Sequence, residues 1–178
     1  MNLGIALRIK IATLILVLGA PLAAAADSIA RMYVDENSGG QAIYAISAEV
    51  DATAETFGLF RSADRGNTWS PVPDILSPGG EPAVVTAITA KLDLDLNHYL
   101  FAATQDHGVF RSTDRGQTWV AWNDGSFTVT ELGSGGANVP VSAMSADGYL
   151  YTSFDHGENW LALNVFLAAL SLDTYGQQ

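Results

Sequence analysis

One eight-residue pattern occurs three times in this chain and constrains its fold more than any other feature. The copies are Ser62-Ala-Asp64-Arg-Gly66-Asn-Thr-Trp69, Ser112-Thr-Asp114-Arg-Gly116-Gln-Thr-Trp119 and Ser153-Phe-Asp155-His-Gly157-Glu-Asn-Trp160. Ser, Asp, Gly and Trp keep their places, and the aspartates lie 50 and then 41 residues apart. The first two copies also agree upstream: GLFRSADRGNTW and GVFRSTDRGQTW match at nine of twelve positions. Self-similarity at such a period marks stacked supersecondary units, each too small to bury its apolar face alone.

Each residue type in the pattern suits a tight hairpin. Asp accepts backbone N–H groups two residues on, and Ser adds a hydroxyl bond beside it. Gly supplies a backbone conformation that a Cβ would penalise. Trp opens the next strand with a large apolar surface to bury. Recurrence once per unit therefore gives Asp64, Asp114 and Asp155 a structural role, since chemistry done once has no need of the same acid in every repeat. The flanking sequence fits four short strands per unit, separated by turn residues. They are expected at 29–34, 42–50, 58–61 and 68–72; at 84–90, 99–104, 108–111 and 118–122; and at 127–132, 139–144, 149–152 and 159–163. Asp147-Gly148 is a tight-turn dipeptide. No long segment of helical period follows residue 26, so the chain reads as almost wholly β.

The pattern resembles the Asp-box, or BNR repeat, of sialidases, sortilin-type receptors, xyloglucanase-like glycoside hydrolases and photosystem II assembly factors. In those families the box is the hairpin between the third and fourth strands of a β-propeller blade. The resemblance implies an all-β array of four-stranded antiparallel blades at about 28–74, 82–124 and 126–165. It specifies fold strongly and activity weakly, because one scaffold hosts unrelated functions. The stretch 166–173, FLAALSLD, repeats the pattern that opens the first two units, an apolar strand ending in Asp. The expectation is three complete blades plus the first strand of a fourth. Closed propellers use about four to eight blades, so three leave two open flanks. The extra strand could complete the first blade in a small ring, chains could associate through the flanks, or the chain could be a piece of a longer propeller. Association or truncation is expected over a closed monomer.

Residues 1–26 read as a secretory signal. Arg8 and Lys10 precede an apolar stretch at 11–20, and Ala24 and Ala26 stand at the spacing of a small-x-small cleavage site. The stretch is shorter than the ~20 residues of a spanning helix, which favours cleavage over a retained anchor. Domain 27–178 would then be exported, to the periplasm or beyond. The whole chain carries 8 Lys+Arg against 19 Asp+Glu, a formal charge of −11. So acidic a surface disfavours nucleic acid and anionic lipid as partners. The absence of Cys excludes disulfides, thiolate metal sites and cysteine nucleophiles.

The resemblance implies that the box turns share one rim and that ligand-binding loops lie on the opposite one, which makes 51–57, 74–81, 105–107, 123–125 and Asp147 the candidate sites. Asp106 and His107 place an acid beside an imidazole after a strand. A glycosidase also needs a second carboxylate at defined separation, which Glu55 or Asp147 could supply. Xyloglucanase-like enzymes, by resemblance, carry a catalytic Asp in a loop similar to Ala103-Thr104-Gln105-Asp106-His107-Gly108, with a second Asp in another domain. The sialidase pattern fails: there is no Arg-Ile-Pro, and Arg61, Arg65, Arg111 and Arg115 occupy equivalent positions beside the boxes. Those arginines are expected to pair with acidic neighbours or cover the hairpins. Asp93-Leu-Asp95-Leu-Asn97 begins like a calcium loop, but His98 and Thr104 stand where an EF-hand needs Gly and Glu. No metal site or cofactor is implied. Trp122, outside the boxes, would suit sugar stacking or packing between blades. The sequence thus supports a non-catalytic binding or assembly module for protein or glycan, with an exported glycoside hydrolase fragment or subunit as the alternative.

Overall fold

The protein's structure, a computed structural model, describes residues 29–47, 58–122 and 128–163. Each box closes the last hairpin of a four-stranded antiparallel meander, and the described residues form three such meanders. Blade one comprises β1 (Ile29–Asp35), β2 (Ala42–Ser47), β3 (Leu59–Ser62) and β4 (Ser70–Pro71). Blade two comprises β5 (Val85–Leu92), β6 (His98–Thr104), β7 (Val109–Ser112) and β8 (Val120–Ala121). Blade three comprises β9 (Val129–Gly133), β10 (Val141–Ser145), β11 (Leu150–Ser153) and β12 (Leu161–Leu163). Within a blade, neighbours in sequence are neighbours in the sheet. This is the architecture read from the repeat. The segment 1–26 and the strand expected at 166–173 lie outside the described residues, as does Glu55.

Period-two alternation in β6 divides the core into two. Leu100 and Ala102 enter a cluster shared with blade one, beside Tyr44, Ile46 and Leu59. Phe101 and Ala103 enter a cluster shared with blade three, beside Val129, Val141 and Ala143. A strand covered on both faces reads as an unbroken apolar run, which explains the lack of polar alternation in YLFAA.

The outer strands are shorter than expected: two residues each for β4 and β8, and three for β12. The cause is local. The backbone N–H groups of Thr68, Thr118 and Asn159 donate to the box carboxylates at 2.8, 2.9 and 2.8 Å, so pairing begins only beyond them. Likewise β10 starts at Val141 rather than 139, because Val139 N–H closes a turn onto Gly136 O at 2.9 Å and Pro140 has no N–H to give.

Side chains tie blade to blade. The Tyr33 hydroxyl accepts from Ala90 N–H at 3.0 Å, and His98 Nε2 meets Asp35 Oδ2 at 2.7 Å. Arg31 on β1 passes blade two and grips Glu131 on β9, with both contacts at 2.9 Å. Since Tyr33 turns towards blade two, Met32 and Val34 turn away from it and are exposed. Leu161 and Leu163 are exposed in the same way on the far side of blade three. Among the described residues, no helix is long and apolar enough to cross a membrane.

Candidate functional site

The repeated residues make one closed hydrogen-bond circuit three times. In the first box the Ser62 hydroxyl donates to Asp64 Oδ1 at 2.7 Å and accepts from Gly66 N–H at 2.8 Å. Asp64 then takes Thr68 N–H on Oδ1 at 2.8 Å and the Thr68 hydroxyl on Oδ2 at 2.6 Å. Ser112, Asp114 and Thr118 repeat this at 2.7, 2.9 and 2.5 Å. The third box has Asn159 in place of Thr, and its amide reaches Asp155 Oδ2 at 2.7 Å. The turn demands left-handed backbone at two successive residues, with φ of 63° and 88° at Arg65 and Gly66, 62° and 90° at Arg115 and Gly116, and 57° and 83° at His156 and Gly157.

These bonds stabilise the ionised carboxylates. The Thr68 hydroxyl, followed by its N–H, holds Asp64 down at about 2, and the same groups of Thr118 do so for Asp114, also about 2. Partial burial opposes ionisation of Asp155, but the Asn159 N–H and amide outweigh it and leave it at about 2. A carboxylate so stabilised, with both oxygens engaged, is a poor proton donor near neutrality. The box tryptophans serve packing. Trp69 Nε1 donates to Gly66 O at 3.1 Å, Trp119 packs against the core between blades one and two, and Trp160 meets Phe101 edge-on at 6.4 Å.

Antiparallel topology puts the β6–β7 and β10–β11 loops on the rim away from the boxes, while the candidate loops at 51–57 and 123–125 lie outside the described residues. Asp106 is exposed and His107 half-buried in the β6–β7 loop. That loop is held by the Thr104 hydroxyl, which accepts from His107 N–H at 3.2 Å and donates to Gly108 O at 2.9 Å. Asp147 lies in the β10–β11 loop, where it accepts the Ser145 hydroxyl. Trp122 follows β8 and packs against blade three, tilted 38° to Trp160 at 4.8 Å and edge-on to Tyr151 at 5.6 Å. Arg111 also reaches forward a blade, donating to His156 O at 2.9 Å with Glu158 at 3.6 Å.

A cleft of about 320 Å³ opens on the box rim itself, between blades two and three. It is lined by Lys91, Asp93, Leu94, Asp95, Ala137, Asn138, Val139, Pro140, Phe154 and His156. Lys91 is only 3% exposed. Its ammonium donates to the carbonyls of Gly136 at 3.2 Å, Ala137 at 3.0 Å and Val139, tying the β9–β10 loop to β5. Burial lowers the Lys91 pKa, and Asp93 works against that. Asp93 organises the β5–β6 turn: Asp95 N–H and Asn97 N–H reach Oδ1 at 2.9 and 2.8 Å, while the Asn97 amide and the Tyr99 hydroxyl reach Oδ2 at 2.9 and 3.2 Å. The Asn97 amide contributes most to lowering its pKa. Tyr99 stacks on His156 at 4.9 Å, joining the two walls. Lys91 escaped the sequence reading, although a lone cation in the strand VTAITAKL was the available signal. Among the described residues, no group of three or more His, Asp or Glu is placed to hold a metal ion.

Residues 110–121, the second box and its flanks, match the BNR/Asp-box repeat. No curated protein sequence matches the chain significantly. Among solved structures, the chain is similar to YCF48 from Cyanidioschyzon merolae, with a TM-score of 0.50 and 16% identity over 76% of this chain and 36% of that one. It is similar to YCF48 bound to D1 peptide, with a TM-score of 0.52 and 17% identity over 75% of this chain and 40% of that one. It is also similar to the GH74 enzyme of Niastella koreensis, with a TM-score of 0.56 and 16% identity over 79% of this chain and 23% of that one. Likeness at these identities is one of fold, and the fold is the β-propeller. The chain spans well under half the length of each of these structures.

Proposed function

We propose that the chain is an exported, non-catalytic β-propeller module that binds a protein partner. The observation carrying this reading is that Leu94 and Phe154, 73% and 70% exposed, line one cleft on an otherwise acidic molecule. Scattered apolar residues on a surface need no explanation, but two large exposed apolar side chains beside a concavity whose lining is otherwise largely polar (Lys91, Asp93, Asp95, Asn138 and His156) form a mixed surface of the kind that protein contacts use. The repeated aspartates support no catalytic reading, because the turns use their oxygens. A protein of similar fold, YCF48, holds a peptide, which supports the same ligand class here by fold analogy alone. Export rests on the signal pattern of residues 1–26.

The test is to titrate the full chain against a soluble peptide library and against xyloglucan and sialylated oligosaccharides, reading binding by calorimetry and cleavage by released reducing ends. Saturable peptide binding without sugar release supports the proposal. Sugar release abolished by Asp106→Asn would replace it with the glycoside hydrolase reading. Binding of glycan alone, uncleaved, would replace the protein partner with a carbohydrate.

A further inference from the structure

We infer that the box-rim cleft is the docking site for an extended peptide segment carrying a large apolar side chain beside Lys or Arg. This rests on the protein-binding reading and adds the place and chemistry of recognition. Both walls are braced. Asp93 locks the turn carrying Leu94 and Asp95 with four hydrogen bonds. Lys91 fixes the opposite loop through backbone carbonyls. A site set in advance loses little conformational entropy on binding. The cleft, at about 320 Å³, stands at the lower end of ligand-pocket volumes. It has room for one large side chain, with Leu94, Val139, Pro140 and Phe154 supplying apolar contact and Asp95, Asn138 and His156 polar contact.

Charge selects the occupant. Among the charged groups lining the cleft, Lys91 is buried on backbone carbonyls with Asp93 as its neighbouring opposite charge, which leaves Asp95, exposed on the cleft wall, as the uncompensated charge. The chain as a whole carries −11. A second copy would bring like charges to the same rim, while a basic segment meets opposite ones. The ligand is therefore a cationic apolar peptide rather than another copy of this chain.

The test uses fluorescein-labelled peptides Lys-Phe-Lys-Leu-Lys, Lys-Ala-Lys-Ala-Lys and Glu-Phe-Glu-Leu-Glu, measured by polarisation against the full chain. The first is expected to bind, more weakly as salt is added, and the other two to bind at least about tenfold less well. Phe154→Ser and Leu94→Ser, both surface changes, should each weaken binding about tenfold, as loss of a central apolar anchor does. Val120→Ser, an exposed apolar residue on β8, should leave binding unchanged. Equal binding of the alanine peptide, or undiminished binding by the cleft variants, would overturn the site. In the second case peptide binding itself would survive and lie elsewhere. No binding of any of the three would overturn the proposed chemistry, and the peptide library would then decide the broader function.

Discussion

Ser112 is almost fully buried, and its hydroxyl serves three bonds: to Asp114 Oδ1 at 2.7 Å, from Gly116 N–H at 2.8 Å and from Asp114 N–H at 3.3 Å. Ser112→Ala would strand the Gly116 N–H in a buried turn, so about 1–3 kcal/mol of stability should be lost. Urea unfolding would measure this, and an unchanged midpoint would contradict the circuit. Glycines separate two requirements that sequence cannot. Gly148 and Gly157 both have left-handed backbone, with φ of 89° and 83°. A Cβ on Gly148 meets nothing within 4 Å, whereas one on Gly157 would lie 2.5 Å from Phe101 Cε1. Gly148→Ala should therefore cost about 1–2 kcal/mol, for backbone alone. Gly157→Ala should cost roughly 2–5 kcal/mol, because it also drives the third blade off the second. Equal losses in thermal unfolding would argue against that close approach.

The box hairpin is the element through which pH acts. Its three aspartates sit at about 2 against an ordinary 3.8. A carboxylate with a depressed pKa in the folded state binds fewer protons there than when unfolded. Its stabilisation is thus complete above about pH 5, declines as pH falls through 3.8, and is gone below about 2. The melting temperature should follow that course in mild acid. Thr118→Val removes the hydroxyl that contributes most to Asp114, so carboxyl NMR should find the Asp114 titration moved towards the ordinary value while Asp64 stays in place. Movement of both, or of neither, would sink the assignment. Much of this element was legible in advance, because its bonds run between residues two to four apart and its Gly marks a left-handed turn. Even the third box, with Asn159 for Thr, keeps a donor at the required position.

Across the whole molecule, blade three is tied to blade one by Arg31 and Glu131, side chains 46% and 61% exposed. Exposed pairs contribute about 0–1 kcal/mol, so packing between sheets, not this bridge, holds the array together. Met32 and Val34 on one side, and Leu161 and Leu163 on the other, leave apolar faces in solvent. The chain is expected to associate through them, with Leu161→Asp combined with Leu163→Asp shifting it towards monomer in light scattering. A wild-type monomer at every concentration would end that expectation. The repeat spacing announced the blades and their order, because a hairpin is written in contiguous residues and three turns of one kind cannot be mistaken for a helix. The cleft was hidden, as was the choice of Trp122 between packing and sugar stacking. Lys91 meets carbonyls 45 to 48 residues away, and Trp122 meets a ring 38 residues on. Local pattern determines which residues form each blade; the twist and stacking of the sheets decide which distant side chains share a space, and those distances appear nowhere in the order of the chain.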